Sequence, residues 1–202
     1  MGKLYCILGK SASGKDTVYG RLSGDKDLNL KTVVTYTTRP KRSGETEGKE
    51  YHFADEKTLR RFREEGRIIE ERVYHTVYGD WYYFTADDGS VSVDDGSSYI
   101  MVATPEAYAG LKSAFGEDFV VPIYICVDDG VRLSRALARE QAQDTPRYAE
   151  MCRRFLADEE DFAPEKLESV GIEAKDTFFN DDLEKCLSRI KDVILGNGSP
   201  ED

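Results

Sequence analysis

Cysteine is sparse and scattered. Cys6, Cys126, Cys152 and Cys186 are the four thiols of the 202-residue chain, and they form no C-x-x-C pair or Cys/His cluster of zinc spacing. A disulfide framework or a zinc module is thereby excluded, and two thiols inside apolar, strand-like runs point to a reducing compartment. Histidine is scarcer still: His52 and His75 lie too far apart in sequence to suggest a metal site. No apolar run approaches the roughly 18 residues of a membrane span, and the N-terminus carries no signal-peptide core. The expectation is a soluble, cytoplasmic protein with no membrane partner. Positive charge is also in deficit, with 28 Lys and Arg against 39 Asp and Glu and a net charge of −11. That balance argues against a partner such as nucleic acid gripped through its phosphates. Any anionic substrate must meet a local basic patch.

What is present is enough for one sizeable core. The chain is 40% hydrophobic, and its length favours a single domain with insertions. "KLYCIL" reads as a buried strand, "SGKDTVYGRL" opens a helix and "KTVVTYT" reads as a second strand. "DEKTLRRFREEG" reads as a helix ending at Gly66, and "RIIEERVYHTVYGDWYYFT" as strands joined by turns. The aromatic run "WYYF" is expected to pack a sheet face. "SYIMVA" and "FVVPIYICV" then enclose the helix "PEAYAGLKSAF", the strand–helix–strand pattern of a parallel sheet. The charged stretch from "DDGVRL" to "EEDF" reads as helices broken near "DTP", and the chain closes with a short strand and the helix within "NDDLEKCLSRIKDVIL".

The stretch "GKSASGKDT", residues 9–17, fits the relaxed pattern G-x4-G-K. Alone that pattern is weak. Between a buried strand and a helix start it becomes a phosphate-binding loop, whose main-chain N–H groups wrap an anion while Lys15 reaches its terminal phosphates. Asp16 stands where the usual pattern has a hydroxyl. It is either a first-turn acid favoured by the helix dipole or a ligand of Mg²⁺, with Thr17 donating its hydroxyl to a phosphate. A second candidate anion site lies in "TYTTRPKRSGETEGKEYHF", where Arg39 and Arg42 are bracketed by hydroxyls and followed by Tyr51.

These segments, with "IIEE", "VYG" and "NDDLEK" following in order, resemble the guanylate kinases, a family of P-loop nucleoside monophosphate kinases. The resemblance spans residues 4 to about 190. It implies an α/β fold: a P-loop NTPase parallel sheet flanked by helices, with a mostly β monophosphate-binding insertion and a helical lid. The single domain then divides into a core at about 1–34, 94–131 and 159–196, the insertion at about 35–93 and the lid at about 132–158. The implied activity is transfer of the ATP γ-phosphoryl group to GMP, giving ADP and GDP, with Mg²⁺.

The implied roles map onto particular residues. Gly9, Ser11, Ala12, Ser13, Gly14, Lys15, Asp16, Thr17 and Asn180 would bind ATP, with Asp16 as the metal ligand. Thr35, Arg39, Arg42, Tyr51, Glu70, Tyr78, Asp80 and Thr104 would bind GMP, Glu70 accepting from the guanine N1–H and amino group. Lys15, Arg39, Arg139 and Arg154 would be the catalytic set, the last two closing with the lid. The chain departs from the family where Val102 and Thr104 occupy acidic positions and where Asp80 replaces a serine. Those departures leave open the same chemistry on dGMP or another monophosphate. A catalytically weak module of the same fold that binds a protein partner is the reading from another class.

Overall fold

The computed structural model describes residues 2–42, 44–76 and 79–197. A five-stranded sheet, parallel throughout, forms one layer in the order β2 (Lys31–Thr32), β7 (Tyr99–Val102), β1 (Leu4–Leu8), β8 (Val120–Cys126), β9 (Thr177–Phe179). β1 is central and all five of its residues are buried, as a parallel strand covered on both faces requires. Its period of two sorts the side chains. Leu4, Cys6 and Leu8 join a cluster with Tyr99, Met101 and Leu111, whereas Tyr5 and Ile7 join Val18, Leu22, Ile123 and Ile190 on the other face.

Helices cover both faces. α1 (Lys15–Ser23) and α7 (Leu183–Leu195) enclose the second cluster. α3 (Pro105–Phe115) and α6 (Pro164–Val170) pack on the first. α3 coincides with the expected segment because Thr104 caps it, accepting from the N–H of Ala107, and Pro105 sits at its first turn.

A second, four-stranded sheet in the order β4 (His52–Phe53), β3 (Tyr36–Thr37), β6 (Gly79–Ala86), β5 (Ile68–Thr76) is built between β2 and β7 in sequence. β5 and β6 are the antiparallel hairpin expected from the alternating stretch. α2 (Glu56–Glu64), capped by Asp55, lays Leu59 and Phe62 against Phe84 and Ala86 to give this sheet its own small core. Gly66, at φ 67°, lies just beyond the end of α2.

Two expectations differ from the fold. "KTVVTYT" is not one strand: β2 is a two-residue edge strand of the parallel sheet and β3 belongs to the second sheet. The chain leaves β2 after Val33 donates to the carbonyl of Ile100, because it must cross from one sheet to the other. Between β8 and β9 the chain holds three α-helices rather than two, α4 (Asp129–Gln141), α5 (Tyr148–Asp161) and α6. Pro164 at the first turn and Gly171 in the left-handed conformation bracket α6, and a 3₁₀ turn at Ala174–Asp176 leads into β9.

Candidate active site

The loop after β1 is shaped by close approaches. A Cβ on Gly9 would lie 2.7 Å from Ser13 Oγ and 2.8 Å from the carbonyl of Ile125. One on Gly14, at φ 90°, would lie 2.3 Å from Asn180 Nδ2. Only glycine fits at either position. Ala12 holds a left-handed φ of 63°, a modest cost for a residue with a Cβ. Asn180 does not point away from the loop: its buried amide donates to the carbonyl of Ser13 at 2.8 Å while its N–H donates to Cys126. Asn180 therefore ties the loop to the end of β8.

Ser13 is 1% exposed, and its hydroxyl is the buried polar side-chain group without a partner among the described residues. An unsatisfied buried hydroxyl costs about 1–3 kcal/mol, so the loop is better satisfied by an added acceptor than when empty. The N-terminus of α1 supplies the positive end of a helix dipole at the same place. Lys15 is largely buried, with Nζ 3.8 Å from the exposed carboxylate of Asp16. Thr17 is exposed.

α4 and α5 close over one side of this loop through charge. Arg132, 1% exposed, pairs with Asp129 (2.9 Å), Asp158 (3.1 Å) and Glu159 (2.5 Å), and its Nη1 donates to the carbonyl of Ser11 at 3.3 Å. Asp158 also accepts from the N–H of Ser11 at 2.8 Å, and Glu159 pairs with Lys10 at 2.7 Å. Of the two expected lid arginines, Arg154 donates to Ser11 Oγ at 3.4 Å, whereas Arg139 is exposed on α4 and touches no loop residue among the described contacts. Arg135, not singled out in the sequence, donates to the carbonyl of Asn180 at 3.4 Å. Between Lys10, Ser13, Val127, Arg132, Phe179 and Asp181 lies a cavity of about 410 Å³.

The second sheet gathers the other set. Arg39 is buried and uses four of its five N–H donors: Nε donates to the Tyr83 hydroxyl (3.1 Å), Nη1 to the carbonyl of Pro40 (2.8 Å) and the guanidinium forms a two-pronged pair with Glu45 (2.7 and 3.0 Å). The Arg39 side-chain hydrogen bond holds the Glu45 carboxyl below the usual glutamate value. Burial raises the Tyr51 hydroxyl, whose ring lies 5.6 Å from the Arg39 guanidinium and 5.5 Å from the Tyr83 ring. Arg42 is exposed, its main-chain N–H donating to Glu45.

Glu70 sits on β5 with its side chain 7% exposed, accepting from Thr85 Oγ1 at 2.7 Å and from Arg72 Nε at 3.3 Å. Gly110 of α3 lies against it, since a Cβ there would come within 3.0 Å of Glu70 Cβ. α3 begins where Ala103 donates to Ile7, at the C-terminal end of β1. One helix thus spans from the mouth of the loop to Glu70, about 9 Å at 1.5 Å per residue. Thr35 is half-buried, its carbonyl accepting from His52. Asp80 lies at the far end of the hairpin, paired with His75 at 2.7 Å, and the hydroxyl of Thr104 is engaged in capping α3. Tyr78 lies outside the described residues.

Sequence reasoning missed Tyr83, Arg72 and the Arg132 cluster. "WYYF" does pack, Phe84 being fully buried, but Tyr83 turns its hydroxyl to Arg39. The available signal was the alternation itself, which puts Tyr83 on the face opposite Phe84.

The guanylate kinase family model matches residues 1–89. Guanylate kinase of Anaplasma phagocytophilum is 28% identical over 195 residues, covering 96% of this chain and 86% of that protein. Guanylate kinase of Aromatoleum aromaticum is 43% identical over 82 residues, 40% of this chain and 38% of that protein. Among solved structures, a crystal structure of guanylate kinase from A. phagocytophilum superposes with a TM-score of 0.62 at 24% identity, covering 96% of this chain and 85% of that one; that likeness concerns the fold.

Proposed function

We propose that the chain, which the guanylate kinase family model matches over residues 1–89 and which is similar to curated guanylate kinases over 96% of its length, transfers the γ-phosphoryl group of ATP to GMP, giving ADP and GDP. The observation that carries the reading is the loop of residues 9–17, which holds a buried, unpartnered Ser13 hydroxyl beside Lys15 at the start of α1. Phosphoryl transfer asks the protein for in-line positioning and neutralisation of moving charge, with little covalent chemistry. In this reading Lys15 carries the terminal phosphates of ATP, and residues 9–17 with Asn180 form the donor site. Arg42 and Tyr51 hold the acceptor phosphate beside Arg39, and Glu70 reads the base.

In this reading the lid at about 132–158 closes over the core and the monophosphate-binding insertion at about 35–93. Arg154 already reaches the loop, and Arg139 would join only on closure, a step that excludes water from the reacting phosphoryl. Among the described residues no group of three or more His, Cys, Asp or Glu forms a metal cage. Asp16, an exposed carboxylate 3.8 Å from Lys15 Nζ at the start of α1, is an oxygen donor of the kind Mg²⁺ takes and would hold it with nucleotide phosphates supplying the rest. The ion would supply charge neutralisation on the phosphates. No helix among the described residues is long and apolar enough to cross a membrane; the free thiols fit a reducing, cytoplasmic setting. Because Thr104 is spent on a helix cap rather than presenting an acid, dGMP and other monophosphates belong in the same test.

The experiment is ADP release from ATP·Mg²⁺ with GMP, dGMP, AMP, CMP or UMP. GMP-selective turnover is expected, with Lys15→Ala lowering kcat by about a hundredfold or more and leaving the KM for GMP within a few-fold. Full turnover by Lys15→Ala would remove the loop from the mechanism. Silence with all five acceptors would leave a non-catalytic binding module of this fold.

A further inference from the structure

Glu70 and Arg72 form a unit that the phosphate-binding residues do not account for. The β5–β6 register sets Glu70 opposite Thr85, Arg72 opposite Tyr83 and Tyr74 opposite Trp81, so all six side chains share one face. On that face Tyr83 binds Arg39 and packs against Tyr51. The charge of Arg72, like that of Arg39, acts on the Tyr51 hydroxyl. Arg72 thus lies within electrostatic reach of both the buried carboxylate and the Arg39–Tyr51–Tyr83 group.

Each partner of the pair keeps hydrogen-bonding capacity. Glu70 accepts once on each oxygen, from Thr85 and from Arg72, whereas a carboxylate offers about four acceptor positions. Arg72 spends only Nε on Glu70, and neither of its Nη groups has a hydrogen-bond partner among the described residues. The result is a free acceptor next to a free charged donor, 27% exposed on the arginine side and 7% on the glutamate side.

That polarity matches a lactam edge. A 6-oxopurine presents N1–H beside C6=O, a donor next to an acceptor. Adenine presents the reverse, N1 as acceptor beside the N6 amino donor, and would set donor against donor at the arginine. Arginine is also the side chain that best serves a purine O6 and N7. We propose that Arg72 is a specificity-determining residue of the acceptor site: with Glu70 it forms an acceptor–donor pair that reads the N1–H and C6=O edge of a 6-oxopurine monophosphate and rejects adenine. The inference rests on the GMP kinase reading above and deepens it. It supplies a base-reading group in a site where Thr104 offers no acid.

A purely structural Glu70–Arg72 pair, bracing β5 against α3, would weaken every acceptor alike when broken. The test is therefore a ratio. Binding of GMP, IMP and AMP to the full chain is measured by calorimetry, together with steady-state kinetics, for wild type and Arg72→Met. Arg72→Met should weaken GMP and IMP by about ten- to a hundredfold while AMP, relieved of the opposed donor, binds as well as or better than to wild type, and kcat at saturating GMP should stay within a few-fold. An unchanged GMP:AMP ratio, or equal loss for all three, overturns the proposal. If circular dichroism shows that Arg72→Met does not fold, Arg72→Gln carries the same comparison, keeping one donor to Glu70 without the charged fork. A wild type that binds GMP over AMP but makes no GDP refutes the kinase reading, while the binding series still decides Arg72. A wild type that binds GMP no better than AMP overturns the inference itself.

Discussion

Arg39 shows how a residue can be legible in sequence while its environment is not. The run around it marks an anion site, yet its guanidinium is 2% exposed and already paired with Glu45. A buried charge stripped of its partner is costly, so Glu45→Gln should lower stability by about 2 kcal/mol, measured by urea unfolding, and raise the KM for GMP as Arg39 shifts. The pH dependence follows from the sign of the shift. The Glu45 carboxyl is held below its unfolded value by Arg39, so its stabilisation is present above about pH 4 and is lost as pH falls through the lowered folded value. The acid limb of the wild-type stability curve should be steeper below about pH 4 than that of Glu45→Gln; parallel limbs would mean that the pair contributes no net linkage. Tyr83 and Glu45 were not read as site residues because a tyrosine in an alternating strand and a glutamate in a polar loop have ordinary roles. Only the fold brings them to one guanidinium.

At the level of elements, the parallel sheet was readable because its strands are continuous apolar runs and α3 carries its own cap, proline and terminating glycine. β2 was not, because an edge strand two residues long leaves no periodicity. The lid helices were read as charged, but charge alone did not reveal which arginine is buried. Arg132 joins α4 to α5 through Asp158 and Glu159 and stacks 4.1 Å over Phe155, while Arg139, a likelier candidate by resemblance, faces outward. Arg132→Met keeps much of the packing and leaves Asp158 without its cation beside the loop, while Glu159 keeps only Lys10. It should destabilise the chain by about 3 kcal/mol, lowering Tm by several degrees for a chain of this size, and should raise the KM for ATP because Asp158 no longer fixes the N–H of Ser11. A Tm unchanged within a degree would show that the cluster has no net worth.

Across the whole molecule, a net charge of −11 leaves anionic substrates to find cations that the fold has concentrated at the loop and on the second sheet, most of them partly neutralised by carboxylates already bound. On the proposed reading, closure of the lid would trade protein ion pairs for nucleotide phosphates, and the stability of the sheet beneath would have to survive that exchange. The thiols report on it from within. Cys6 and Cys186 are buried in the two clusters on opposite faces of the central sheet, and burial raises both, Cys186 to about 11. Cys126 is partly buried and also raised by burial, whereas Cys152 is exposed on α5. At pH 8 a thiol at about 11 is ionised to roughly one part in a thousand, so a thiol-specific reagent should modify Cys152 in one fast phase and Cys126 more slowly. Cys6 and Cys186 should react only at the rate of global opening. Peptide mass mapping identifies the sites, and saturating nucleotide should slow the last two further, since ligand bound to the native state suppresses opening. Fast labelling of Cys6 or Cys186 in the native chain would show that the parallel sheet opens locally, and that the loop it carries is not held rigid between turnovers.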